Sequence, residues 1–207
     1  MEKVVLWTLL YLVINGKKNI NMKKSLLILG IGNILFQDEG IGAHFVHYLD
    51  EKYDFKSANY DVTIIDGGTL AQRLIPEIIK HDEVIVIDCI DALSSKAGDV
   101  YFFDYRNAPS QVNWQGSAHE VEMLQTLNMI DMNKDLPSTY VLGVIPKRVA
   151  DDTTFELSSQ IINAVDTMEK VIKQHLELLH IELELRNSTT TIKQIAQVSF
   201  KREIIHS

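Results

Sequence analysis

Short hydrophobic runs alternate along the chain with segments in which hydrophobic residues recur every three or four positions. The runs have the length of strands, and the recurring spacing is that of a helix with one buried face. The pattern predicts strands at about 25–30, 61–65, 83–88, 99–104 and 139–145, and helices at about 39–52, 70–80, 119–130 and 155–185. Alternating strands and helices favour an α/β fold, a three-layer α/β/α domain with a twisted, mostly parallel sheet of about five strands.

Local signals refine several of these elements. Pro76 lacks an amide donor, so we expect it to kink or split the helix at 70–80. Thr69 is a candidate cap for that helix, and Ser117 is a candidate cap for the helix that follows it. The strand at 83–88 is an unbroken apolar run, as expected where helices cover both faces of a sheet, and the short strand at 99–104 is predicted at an edge.

The two ends of the chain fall outside this pattern. We therefore divide it into an N-terminal extension (1–22), an α/β domain (23–185) and a C-terminal tail (186–207) that is predicted to be basic and loosely structured. The apolar run at 4–14 is too short to cross a bilayer, and no small-residue cleavage site follows it. Stable membrane insertion is not expected, and a translation start at Met22 is an alternative explanation of the extension.

Charge and cysteine content narrow the class of protein. The 207 residues include 28 acids against 20 Lys and Arg, for a net charge of -8. This balance argues against nucleic acid as a partner, because phosphate binding needs a basic face. The single cysteine, Cys89, excludes an internal disulfide framework and fits a reducing compartment, so we expect a cytoplasmic protein.

A glycine-rich stretch at 30–42 joins the first strand to the first helix, where open α/β sheets bind their ligands. It carries Asp38 and Glu39, and right-handed crossovers would bring Asp66 and Asp88, at the ends of the next two strands, to the same edge. A dinucleotide-binding fingerprint is disfavoured, because a leucine stands where the third glycine is needed and two carboxylates would repel a pyrophosphate.

Glu39, Asp88 and His119 form the candidate metal site. A carboxylate at a helix start is stabilised in its ionised form, and Asp88 closes a buried strand. Two carboxylates and one imidazole suit a borderline divalent ion such as nickel or zinc, and three protein ligands leave positions open for a substrate. Each residue also has an ordinary structural explanation: Glu39 as a helix-stabilising acid, Asp88 as a hydrogen-bond acceptor and His119 as a surface residue.

Other candidate groups have weaker support. His44 and His47 are three residues apart on the first helix, on a face predicted to be exposed, where histidines are usually solvated. Cys89 is predicted to be a small buried hydrophobe and not a nucleophile. Asp66, in a turn, could hold a metal ligand or a loop in place. The sequence contains no G-x-S-x-G nucleophile elbow.

Five short stretches together resemble the hydrogenase maturation proteases, over about residues 24–180. The stretches are GIGNILFQDEGIG (30–42), IIDGGT (64–69), VIVIDCIDA (84–92), SAHE (117–120) and VLGVIP (141–146). The resemblance implies an α/β endopeptidase that removes a C-terminal peptide from the large-subunit precursor of a nickel-iron hydrogenase after nickel has entered it. It also implies that Glu39, Asp88 and His119 bind nickel that the precursor supplies, and that this nickel is the recognition tag.

Two positions depart from the family pattern: Cys89 stands where a small residue such as Ala is usual, and Glu122 stands where Gly is common. Two other classes of function stay open at this point. A non-enzymatic nickel-binding assembly factor could use the same three ligands, and a nucleotide-binding oxidoreductase module would use the glycine-rich stretch.

Overall fold

A computed structural model of the protein describes residues 23–113, 118–147 and 156–206. The side chains at 113, 118–121 and 200–206 lie outside this description. The predictions for residues 1–22, for Ser117 as a cap and for the helix start at 155 also fall outside the described residues.

Nine strands and five α-helices follow one another in the described residues. The strands are β1 (Lys24–Gly30), β2 (Tyr53–Lys56), β3 (Tyr60–Asp66), β4 (Glu83–Cys89), β5 (Asp91–Ala92), β6 (Val100–Asp104), β7 (Val112–Asn113), β8 (Ser138–Val144) and β9 (Glu182–Leu185). The helices are α1 (Ile41–Lys52), α2 (Ile75–Ile78), α3 (Ala118–Met132), α4 (Ser159–Leu178) and α5 (Ile192–His206), with 3-10 turns at Gln37–Gly40, Ala71–Leu74 and Tyr105–Asn107.

The central sheet has five strands in the order β3-β1-β4-β8-β6. The first four are parallel, and β6 pairs antiparallel with β8 at one edge. The predicted α/β fold, the five-stranded sheet and the edge position of the fourth predicted strand are therefore confirmed. Two small antiparallel pairs, β2 with β9 and β5 with β7, lie beside this sheet.

Alternating side chains of the central strands build a separate hydrophobic core on each face of the sheet. On one face Leu26 and Ile28 pack with residues of α1, α4 and α5, and on the other face Leu27 and Leu29 pack with residues of α2 and α3. The strand β4 is buried along its whole length, as expected when both faces are covered. The three-layer arrangement follows from this packing.

Three local predictions were wrong. The long helix ends at Leu178 and not at 185, and 182–185 instead forms β9, which pairs with β2. The tail contains α5, whose Ile192 and Ala196 are buried in the core, so it is not loosely structured. Thr69 does not cap a helix: the 3-10 turn starts after Leu70, with no side-chain cap.

Pro76 splits this region as expected, since the 3-10 turn Ala71–Leu74 gives way to the short helix α2 with Pro76 in its first turn. Within the part of the chain that the structure describes, every helix is too short or too polar to cross a bilayer.

Candidate functional site

The ends of β1, β3 and β4 form one edge of the sheet, which we call the carboxyl edge. After β1 the chain continues to β3 on one side, and after the neighbouring strand β4 it continues to β8 on the other side. Such a switch point creates a crevice outside the strand ends. Backbone hydrogen bonds tie the three loops together there. Ile31 N–H donates to Ile87 O at 2.8 Å, and Gly32 N–H donates to Gly68 O at 3.0 Å.

Gly42 allows the first turn of α1 to lie directly against these strand ends. A Cβ atom at this position would stand 2.1 Å from Ile31 O and 2.3 Å from Ile87 O, closer than any side chain tolerates. The glycine-rich sequence is therefore required by backbone packing, which places the loop 31–40 over the carboxyl edge without any role for a bound nucleotide.

Glu39 lies in the 3-10 turn that immediately precedes α1. It is half-buried, and its backbone is fixed on both sides: its N–H donates to Phe36 O at 3.0 Å, and its carbonyl accepts from Asn33 N–H at 3.1 Å. The helix was predicted to begin at Glu39 but begins at Ile41. The carboxylate still lies in the turn at the amino end of α1, where the helix dipole favours its ionised form.

Asp38, the neighbour of Glu39, is buried and anchors the loop. One of its carboxylate oxygens accepts from Ser158 N–H at 2.7 Å, and the other accepts from Ser158 Oγ at 2.7 Å and from Lys147 N–H at 2.9 Å. Ser158 also caps α4, since its hydroxyl accepts from Ile161 N–H. The loop is thus fastened to the chain after β8 and to the start of α4.

Asp88 and Cys89 bring the end of β4 against this loop. Asp88 is buried at 2% exposure, and its Oδ1 accepts from Cys89 N–H at 2.8 Å. The Cys89 thiol is also buried and donates to Asp38 O at 3.1 Å. Residues adjacent to Asp88 and to Glu39 are therefore in direct contact, and the prediction that Cys89 is buried is confirmed.

His119 lies in the first turn of α3, but its side chain is outside the described residues. Among the side chains that are described, no group of three or more His, Cys, Asp or Glu residues could hold a metal ion. The side chain of His119 is not among them, so the set of Glu39, Asp88 and His119 stays a prediction.

Asp66 is the last residue of β3, and its carboxylate makes hydrogen bonds at the carboxyl edge. Its Oδ1 accepts from Gly68 N–H at 3.0 Å, and its Oδ2 lies 2.9 Å from His47 Nε2. Burial acts to raise the pKa of Asp66, but the hydrogen bonds from His47 and Gly68 outweigh it, and the pKa lies below its ordinary value. Asp66 thus orders the turn after β3.

His44 contradicts the prediction of an exposed histidine pair. It is buried, and neither ring nitrogen has a hydrogen-bond partner among the described residues, whereas His47 is partly exposed. Gly40 lies one helical turn earlier, where an added Cβ would stand 3.1 Å from His44 Nε2 and 2.8 Å from Ile34 Cα. The loop therefore covers this face of α1. Burial is the main cause that lowers the pKa of His44 to about 4, so the imidazole is neutral.

Sequence reasoning missed the anchoring role of Asp38 and the burial of His44. The hydrogen-bond partners of Asp38 are more than a hundred residues away in the sequence, so no local sequence pattern predicts them. The unusual Glu122 contacts the 3-10 turn before α2, where its Oε1 accepts from Gln72 N–H at 3.4 Å. This departure from the family pattern therefore links α3 to the loop after β3.

Comparison with known proteins gives one consistent family. The family model described as HycI, hydrogenase maturation protease, matches residues 43–175. Protein HydD of Wolinella succinogenes is 49% identical over 158 residues, which cover 76% of this chain and 98% of HydD. Hydrogenase 2 maturation protease of Escherichia coli is 28% identical over 153 residues, which cover 73% of this chain and 86% of that protein.

Solved structures share the fold. The hydrogenase maturating endopeptidase HybD from E. coli has a TM-score of 0.69 at 24% identity, covering 78% of this chain and 98% of HybD. The hydrogenase maturation protease HybD from Thermococcus kodakarensis has a TM-score of 0.56 at 22% identity, covering 73% of this chain and 98% of that protein. With the family match and the HydD similarity, these findings show that the chain belongs to the hydrogenase maturation protease family, whose members are endopeptidases.

Proposed function

We propose that this endopeptidase removes the C-terminal peptide from the large-subunit precursor of a nickel-iron hydrogenase after nickel has been loaded. We further propose that Glu39, Asp88 and His119 bind that nickel, which arrives with the precursor as part of the substrate. The cytoplasm is the proposed compartment, because its reducing conditions preserve the thiolates that would hold nickel in the precursor.

The contact between the Glu39 loop and the end of β4 is the observation that carries this proposal. The bond from Cys89 Sγ to Asp38 O, at 3.1 Å, brings the neighbours of two carboxylates together at the switch point of the sheet. The backbone of Glu39 is fixed on both sides by hydrogen bonds, and the carboxylate of Asp88 accepts from Cys89 N–H. Two carboxylates held in this way suit a divalent cation that keeps other ligands from a second molecule.

The chain's own residues would contribute mainly by orientation. Glu39 and Asp88 would occupy positions at the metal that the substrate leaves open, which would hold the adjacent peptide bond against the carboxyl edge. A bound divalent metal supplies a Lewis acid that polarises a carbonyl or activates water. Asp38 would keep the Glu39 turn in place throughout, since its own carboxylate is occupied by Ser158 and Lys147.

The test compares Glu39→Gln with wild type. Purified protein is incubated with the nickel-loaded precursor from the same genome, and the loss of the C-terminal peptide is followed by mass spectrometry. Glutamine keeps the size of the side chain but not its charge, so we expect processing to fall at least about a thousandfold, as when a directly participating group is removed. The melting temperature should stay close to that of wild type.

Glu51→Gln is the matched control, because Glu51 is exposed in the last turn of α1, at the end of the helix opposite the loop. It should process the precursor at the wild-type rate. Normal processing by Glu39→Gln would contradict the ligand assignment, while failure of wild-type protein to shorten any nickel-loaded precursor would contradict the proposed function itself.

A further inference from the structure

Large apolar side chains are exposed around the carboxyl edge. Leu35 and Phe36 are 41% and 47% exposed at the tip of the loop that carries Glu39. Leu70, at 47%, follows β3, and Leu93, at 72%, follows β5 just beyond the end of β4. All four therefore belong to loops that leave the carboxyl ends of neighbouring strands. Six other large apolar side chains are exposed in the described residues, so these four stand out by their position beside the candidate site and not by their number. Exposed apolar side chains beside a candidate site are typical of a binding surface.

Hydrogen bonds fix the conformation of the loop tip. Asn33 accepts from Leu35 N–H through its side chain at 3.0 Å and from Phe36 N–H through its carbonyl at 3.0 Å. Gln37 follows with a φ of 43°, a left-handed conformation that a residue with a side chain rarely adopts. A turn that is fixed in this conformation and still presents two apolar side chains to solvent fits a preformed contact site.

We infer that Leu35 and Phe36 bind an apolar, non-acidic segment of the precursor next to the scissile peptide bond. This inference rests on the proposed function, and it adds a surface that selects the polypeptide in addition to the metal. Glu39 N–H donates to Phe36 O at 3.0 Å, so the tip lies directly beside the residue that would hold the substrate. The chain has a net charge of -8, and Asp66 places a carboxylate at this edge, so an acidic segment would be repelled there even with a cation bound at Glu39 and Asp88.

The test is the paired substitution Leu35→Ala with Phe36→Ala, assayed on the nickel-loaded precursor. Removing both side chains should raise KM about tenfold and leave kcat within about twofold, because the contact would be made equally in the bound substrate and in the transition state. Phe36→Leu keeps an apolar group and should stay close to wild type. Phe36→Glu places a charge in the contact and should raise KM more than the alanine pair does.

Leu178→Ala is the matched control. Leu178 is 77% exposed, and it lines a cavity with Lys24, at the start of β1, so it lies at the opposite edge of the sheet. The KM of Leu178→Ala should equal that of wild type. All of these positions are exposed, so the melting temperatures of the variants should agree, and a shared loss of stability cannot account for a difference in KM.

Two measurements separate the inference from the proposed function. If wild type processes the precursor and the alanine pair has the KM of Leu178→Ala, the inference is overturned while the proposed function stands. A fall in kcat without a rise in KM also overturns it. If wild type does not process the precursor, the proposed function fails. Direct binding of the precursor then decides the inference: weaker binding by the alanine pair supports it, and equal binding overturns it.

Discussion

Two carboxylates, Asp38 and Glu169, each join distant parts of the chain, but their hydrogen-bond donors differ in charge. Asp38 accepts only from neutral groups, the N–H groups of Lys147 and Ser158 and the Ser158 hydroxyl, in the hydrogen bonds that the structure describes. Glu169, on α4, accepts from two ammonium groups, those of Lys52 at 2.8 Å and Lys173 at 2.7 Å.

The tyrosines of α1 and β2 complete the second cluster, since the hydroxyls of Tyr48 and Tyr53 also donate to Glu169. Burial acts to raise the pKa of Glu169, but the donors, with Lys173 and Lys52 foremost, lower it to about 2. This cluster joins α1 to α4 through ion pairs between Glu169 and the two lysines. The Asp38 cluster instead fixes the loop beside Glu39 through neutral donors, so in the hydrogen bonds described its carboxylate keeps its charge unpaired, which suits a site that is proposed to receive a cation.

Asp38→Ala tests the role of the Asp38 cluster and should have the largest effect. The change would leave the N–H group and hydroxyl of the buried Ser158, and the partly buried N–H group of Lys147, without their acceptor, so we expect the free energy of unfolding to fall by about 3 kcal/mol. The loop beside Glu39 would also lose its anchor, and kcat on the nickel-loaded precursor should fall more than a hundredfold. Chemical denaturation and the mass-spectrometric assay measure the two effects.

Asp50→Ala is the control for this substitution, because Asp50 is exposed on α1. It should match wild type in both measurements. Asp38→Asn keeps one acceptor oxygen and should fall between Asp38→Ala and wild type. Full activity in Asp38→Ala, with the loss of stability alone, would show that the anchor does not position Glu39.

Glu169→Gln tests the other half of the comparison. Glutamine keeps the shape of the side chain but removes the charge that pairs with Lys52 and Lys173, so we expect the free energy of unfolding to fall by about 2 kcal/mol at neutral pH. Processing should stay within about twofold of wild type, because this cluster lies between α1, β2 and α4 and not in the loops of the carboxyl edge. Glu177→Gln, exposed on the same helix, should leave both unchanged.

The pH dependence of this effect has a definite sign. The pKa of Glu169 is lowered from 4.5 to about 2 in the folded protein, so its contribution to stability is present above about pH 4.5 and is lost as the pH falls toward 2. The stability difference between wild type and Glu169→Gln should shrink over the same range. A difference that stays constant from neutral pH down to pH 2 would contradict the ionic origin of the effect.

The contrast between these clusters also marks what the sequence could predict. The strands β1 and β4 and the long helix α4 follow from local hydrophobic periodicity. The placement of Glu39 and Asp88 at the same edge of the sheet follows from the parallel order of the strands. The short pair β2 and β9 could not be predicted in this way, because four residues of alternating polarity at each end of a long stretch of chain give too weak a signal.

The hydrogen-bond partners of Asp38 and Glu169 could not be predicted from the sequence either. Asp38 depends on Ser158, and Glu169 depends on Lys52, and both pairs exist only because the tertiary fold brings α4 against the loop and against α1. The burial of His44 has the same origin, since Ile34 and Gly40 of the loop lie over a helix face that is polar in sequence. Periodicity therefore located the elements, while the contacts among their ends required the structure.

The smallest effect should come from Cys89→Ala. The thiol makes a weak hydrogen bond to Asp38 O at 3.1 Å, and alanine leaves only a small gap at a buried position, so we expect a loss of about 1 kcal/mol in the free energy of unfolding. Processing should stay within about twofold of wild type, because the carboxylate anchor of Asp38 is intact. Loss of processing in Cys89→Ala with normal stability would instead indicate that the thiol takes part in the reaction.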